Sequence, residues 1–160
     1  AGGAGGGRGA RPPNATAVLL LSHHVDALSL ALHHGFVSIG AEVHALPDAP
    51  ALYGAEGKEG AGGHHHAPIG AIFLHSLPPR RHKSRARREV AGLLAGGAYS
   101  LVLVLLGGDA SGAAHAALLA GYDRSRVVCV RTDSNPPAIW RLWVPPFCGR
   151  VMVREMRLGW

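Results

Sequence analysis

Tyr99-Ser100-Leu101-Val102-Leu103-Val104-Leu105-Leu106 is the stretch on which the fold turns. Its last six residues are apolar without a break, and the glycine pairs Gly96-Gly97 and Gly107-Gly108 stand close on either side. A short apolar run bounded by glycine reads as a strand buried on both faces, the habit of a parallel sheet. It is also far short of the ~20 residues that span a bilayer, so no segment reads as a transmembrane helix.

Working outward, the same kind of run recurs at Ala17–Leu21, Ile69–His75 and Val127–Arg131, each read as a strand. Between them the period changes. Val25, Leu28, Leu30, Ala31 and Leu32 are spaced as one helix that stops at Gly35, and Phe36–Leu46 alternates as a strand. Pro47-Asp48-Ala49-Pro50 is a turn and Ala51–Tyr53 a short return strand, followed by a Gly- and His-rich loop over 54–68. A helix around Arg85–Leu94 is closed by Gly96-Gly97, Ser111–Ala120 is an Ala-rich helix capped by Asp109 or Ser111, and Val151–Arg154 is a last strand. This alternation predicts an α/β fold: a mainly parallel sheet with helices on both faces and right-handed crossovers.

Length and composition set the bounds. The chain has 160 residues, one domain's worth, of which 48% are hydrophobic but only 6% aromatic, so the core is built of Ala, Leu and Val. Charged residues make up 16%, below the ~25% of an average domain, which argues against a wholly disordered chain. Residues 1–16 are the exception, a Gly-rich tail expected to be disordered, ahead of a single α/β domain over 17–160. Asn14-Ala15-Thr16 within that tail fits the N-glycosylation sequon. Cys129 and Cys148 are too few for a disulfide framework or a cysteine zinc site; a single bridge or two separate buried thiols remain, and the thiols are the expectation.

The net charge of +6 is local. Arg80, Arg81, Lys83, Arg85, Arg87 and Arg88 supply six of the sixteen basic residues, and without them the chain would be neutral. Such a stretch would attract the phosphates of nucleic acid or of an anionic lipid headgroup. Ligands of parallel α/β folds bind outside the carboxyl ends of the strands, so the residues read there matter most. They are Ser22, His23 and His24 after the first strand, Glu42 and His44 at the end of the second, and His75 and Ser76 after the third. Gly107, Gly108 and Asp109 follow the fourth, and Arg131, Thr132 and Asp133 end the fifth. His64-His65-His66 reads as a solvated loop, and Gly107-Gly108-Asp109-Ala110-Ser111-Gly112 as a strand-to-helix turn whose N–H groups suit a phosphate.

Four segments carry a resemblance: Ser22-His23-His24, Ala31-Leu32-His33-His34-Gly35, Ser38-Ile39-Gly40-Ala41-Glu42-Val43-His44-Ala45-Leu46 and Leu52-Tyr53-Gly54-Ala55-Glu56. In order and spacing these resemble the opening of the PLC-like phosphodiesterase superfamily, which includes glycerophosphodiester phosphodiesterases and the altered inheritance of mitochondria proteins. The resemblance implies part of a TIM-type barrel, a calcium or magnesium ion held by carboxylates, and two histidines acting as acid and base on a phosphodiester. Carried over by position, His23 or His24 takes the first histidine site and Glu42 a metal-ligand site; His44 is the candidate to replace the second histidine and Asp109 the candidate second metal ligand. Arg131 would join the basic stretch in binding phosphate. Gly40 stands where one acidic ligand belongs and Ala55 near the second histidine, which implies weak or no turnover. A closed barrel takes about 250 residues, so 160 imply an open sheet or part of a longer barrel. Two readings result: a divergent or truncated phosphodiesterase domain, and a non-catalytic basic α/β module that docks on nucleic acid or a larger assembly through Arg80–Arg88.

Overall fold

The computed structural model describes residues 16–53, 77–79, 84–106, 111–131 and 144–153. Five strands form one sheet: β1 (Ala17–Leu21), β2 (Glu42–Leu46), β3 (Leu101–Leu106), β4 (Val127–Arg131) and β5 (Arg150–Val153). Every pairing is parallel, and the order across the sheet is β2-β1-β3-β4-β5. In a β/α barrel the strands follow one another in chain order, whereas here β1 lies between β2 and β3. The order is that of an open, doubly wound sheet.

Among the described residues three α-helices cover it. α1 (Ala27–Ser38) lies on one face, where Leu28, Leu32 and Phe36 pack with Val18, Leu20, Ala45, Leu103 and Leu105. α2 (Arg87–Ala95) and α3 (Ser111–Leu118) lie on the other, where Val90, Leu94 and Leu119 pack with Leu19, Leu21, Val102 and Val104. The crossover from β1 to β2 moves one way along the sheet, and those from β2 to β3 and β3 to β4 move the other way. Their helices sit on opposite faces accordingly, so all three share one hand, as the crossover rule requires. Among the described residues no helix is long and apolar enough to cross a membrane.

Local chemistry sets the helix ends. Asp26 caps α1 by accepting from the Ser29 N–H (2.7 Å), while the Ser29 hydroxyl accepts from the Asp26 N–H (2.8 Å), a reciprocal capping box. At the other end Gly40 adopts φ +85°, with Gly40 N–H donating to the Val37 carbonyl and Ala41 N–H to that of Phe36. Gly97, at φ +66°, closes α2 with the same pair of bonds, to Leu94 and from Ala98 to Leu93. Two expectations are corrected here. Gly35 does not stop α1, which runs on to Ser38, and β2 therefore begins at Glu42 rather than at Phe36. A helix interior tolerates glycine at about 1 kcal/mol, whereas the left-handed turn at 40 requires it.

The expected return strand at Ala51–Tyr53 is a 3-10 turn over Pro50–Leu52, and Tyr53 makes a single parallel bridge with Leu77. The tail over 1–15, the loop over 54–68 and the strand expected at 69–75 lie outside the described residues. The cysteines are also corrected: Cys129 and Cys148 are joined in one disulfide, and no described cysteine is free. Gly149 makes room for that junction, because a Cβ there would collide with the Arg124 carbonyl oxygen. Gly149→Ala is expected to cost about 1–3 kcal/mol, read as a lower urea midpoint at unchanged denaturant slope.

Candidate functional site

Two polar clusters lie at opposite ends of the sheet. The first belongs to β2, the outermost of the described strands, on the α2 face. Glu42 and His44 are two residues apart and therefore project to the same side. His44 Nδ1 lies 2.7 Å from the Tyr99 hydroxyl, and its Nε2 lies 3.0 Å from Glu42 Oε1 and 3.1 Å from Arg85 Nε. The Arg85 guanidinium is also 3.9 Å from Glu42 Oε1. Tyr99 is itself pinned, since its carbonyl accepts from the Tyr122 hydroxyl (2.6 Å) and from Arg126 Nη1 (3.2 Å). His44 Nε2 thus faces a donor and an acceptor together. A bare Nε2 accepts from Arg85, and an Nε2 that carries the proton donates to Glu42.

This cluster joins β2, the segment entering α2 and Tyr99, two residues before β3, through side chains. Tyr99→Phe removes the hydroxyl at a buried position and is expected to cost about 1 kcal/mol, measured by urea unfolding at neutral pH.

The second cluster lies at the carboxyl rim. After β1 come the buried Ser22, whose N–H donates to the Leu46 carbonyl (2.9 Å), then the exposed His23 and His24 with rings edge to face at 5.9 Å. Arg131 ends β4 and is buried on the α3 face with Val127 and Cys129. His115, on α3, is 4% exposed, and neither ring nitrogen meets a hydrogen-bond partner. Burial, then the charge of Arg87, then that of His23, lower its pKa from 6.5 to about 4. Those two influences place His115 in the field of the α2 first turn and of the loop after β1. Helical side chains lean toward the helix N-terminus, so this ring points back toward the rim.

The sequence-derived site residues are therefore split. Glu42 pairs in register with Ala17, the first residue of β1, whereas His23 and His24 follow its last. At ~3.3 Å per residue, roughly 16 Å of strand separates Glu42 from that loop. Calcium and its ligands need contacts of about 2.4 Å, so Glu42 and the two histidines cannot share one ion or one phosphate. The earlier placement of Glu42 and His44 at the end of their strand is corrected by the late start of β2. The surroundings of Glu42 also do not fit a divalent cation, because its carboxylate faces the Arg85 guanidinium. Among the described residues no three metal-ligating side chains gather. Gly40 is no lost ligand position either; its backbone is left-handed and belongs to the end of α1.

Asp109, Arg80, Arg81, Lys83, His75 and the His64–His66 run lie outside the described residues. Of the basic stretch, Arg85 is bound to His44, and Arg87 and Arg88 are exposed on the first turn of α2. That turn is offset by Glu89, whose carboxylate accepts from the Ala86 N–H (2.8 Å). Sequence reading missed Tyr99 and His115. The signal for His115 was present, a lone imidazole in the alanine helix Ser111-Gly112-Ala113-Ala114-His115-Ala116-Ala117-Leu118. Compared with family models, curated proteins and solved structures, the chain matches none, and its function is read from this geometry alone.

The depressed pKa of His115 has a signed consequence. The unfolded chain takes up a proton near pH 6.5 while the fold resists until about 4, so stability is full above 6.5 and falls as pH drops through that window. His115→Leu is expected to flatten the acid side of the stability curve, checked by urea midpoints between pH 4 and 7.5.

Proposed function

We propose that this chain is a non-hydrolytic ligand-binding α/β module that takes a phosphate-bearing small molecule at its carboxyl rim, between β1 and β3. The observation that carries this reading is the strand order. Chain direction across the sheet reverses at β1, so α1, the helix after β1, lies on one face and α3, the helix after β3, on the other. Loops that part in this way open a crevice at the strand ends, the general ligand position of doubly wound sheets.

The groups beside that crevice favour an anion. The N-terminus of α3 follows β3 directly, and a helix N-terminus carries partial positive charge. His23 and His24 lie on the β1 side, and Arg131 ends the next strand, β4. A phosphodiester or a lipid phosphate headgroup fits this chemistry. A calcium site shared by Glu42 with His23 and His24 does not, because they stand at opposite ends of β1. The basic stretch is a weaker alternative, since Arg85 is already committed to His44 and Glu42.

The test is a titration with glycerophosphocholine and with inorganic phosphate, followed by amide NMR shifts. Shifts confined to residues 22–26 and 111–119, weakened at least about tenfold by His23→Ala/His24→Ala, are expected, as for loss of one or two charge-assisted hydrogen bonds. Shifts that centre on Arg85–Arg88 instead, with saturation only by RNA, would favour the docking module. Release of phosphate or alcohol from the diester would overturn the non-hydrolytic reading.

A further inference from the structure

The covered histidines of this chain are not all treated alike. His33 Nε2 lies 2.8 Å from the Tyr53 hydroxyl, and His44 Nδ1 lies 2.7 Å from that of Tyr99. His115 is 4% exposed, and among the described residues neither of its ring nitrogens meets a hydrogen-bond partner. Leaving both nitrogens of a buried imidazole unpaired costs free energy that a hydrogen bond would recover. An orphaned group of this kind inside a fold is the mark of a site whose partner comes from outside the chain.

The place of His115 in the fold shows where that partner enters. His115 and Leu119 are one helical turn apart, joined by the bond from the Leu119 N–H to the His115 carbonyl (2.9 Å). Leu119 belongs to the core cluster that holds Leu21 and Leu106, the last residues of β1 and β3, so this stripe faces the sheet toward its carboxyl end. His115 lies one turn nearer the start of α3, at the rim. Four positions from that start is about 6 Å of helix axis, and the side chain leans back toward it. The charges of Arg87 and of His23 both reach the ring, which sets it beside the loop after β1. It therefore stands just beneath the place where a phosphate would meet the first N–H groups of α3.

What the ring can receive there follows from its charge. Burial, then Arg87, then His23, oppose its protonation, so at pH 7 it is neutral and offers one N–H and one bare nitrogen. A phosphate oxygen only accepts and would be met better by a charged ring. A hydroxyl both donates and accepts, and so satisfies either nitrogen. We propose that His115 receives a hydroxyl on the second carbon of the bound phosphate ester, so that the rim selects hydroxylated esters of the polyol or sugar type over plain alkyl phosphates. The inference rests on the reading of the rim as a phosphate site and gives that site a specificity-determining residue. A site built to pair with a hydroxyl rejects the analogue that lacks it, because its own buried group is then left unpaired.

The test titrates the whole chain with 2-hydroxyethyl phosphate and with ethyl phosphate, reading affinity by calorimetry and the ring nitrogens of His115 by NMR. The hydroxylated ester is expected to bind about tenfold more tightly, as for one hydrogen bond to an otherwise unpaired group, and alone to shift the His115 ring signals. In His115→Leu the ratio of the two affinities should fall to about one. Equal affinities in the wild type, or a ratio that His115→Leu retains, would overturn the role of His115 and leave the phosphate crevice standing. Failure of both esters to bind would overturn the crevice reading and this inference with it. Vesicles of phosphatidylglycerol separate the two sources of such a group. Cosedimentation that 2-hydroxyethyl phosphate reverses supports a lipid headgroup, and protein that binds the free ester but stays in solution supports a soluble one.

Discussion

The constraint on which everything else depends is that β1 is buried on both faces and hydrogen-bonded along both edges. Ala17, Val18, Leu19, Leu20 and Leu21 are each at most 2% exposed, and the strand pairs with β2 on one side and β3 on the other. Such a strand has no position for a polar side chain, since an unpaired polar group there would cost several kcal/mol. β3 obeys the same rule over Val102–Leu106. Polar chemistry in this protein is therefore expelled to the ends of the central strands and to the margin of the sheet.

That expulsion accounts for both clusters. Among the described strands β2 is the outermost, and Glu42 and His44 stand in it, largely covered, beside Arg85 and the Tyr99 ring. Three parts of the chain meet there through side chains alone, and the cluster fastens the start of α2 over the sheet edge. His23, His24 and Arg131 lie where the strands run out. His115 lies between these categories: it belongs to α3, is buried by the sheet beneath, and remains neutral because burial and the neighbouring positive charges oppose its protonation.

Within residues 22–46 the chain shows how much the start of one strand decides. The segment Ser38-Ile39-Gly40-Ala41 looks like the first half of a strand leading to Glu42 and His44. In the structure it is the end of α1, closed by a left-handed glycine and the two bonds that accompany it. Moving the strand start by a few residues carries Glu42 from the carboxyl end to the amino end of the sheet. That shift parts Glu42 from His23 and His24, which follow the other end of β1. Reach along a strand decides the matter, and residue identity does not.

Much of the fold was legible from the chain alone, because the signals are local. The runs Ala17–Leu21, Leu101–Leu106 and Val127–Arg131 are strands because they are short, near-continuous apolar runs, and Gly97 ends a helix because glycine accepts that backbone cheaply. The α/β class and the parallel, two-faced sheet follow from those segments. Tertiary structure alone decided the rest. That β1 lies between β2 and β3, that Cys129 meets Cys148, and that His44 finds Tyr99 across 55 positions are pairings between distant segments. No local propensity encodes them. They are chosen by which apolar faces can be buried together, and the polar side chains travel with those faces to wherever the packing leaves them.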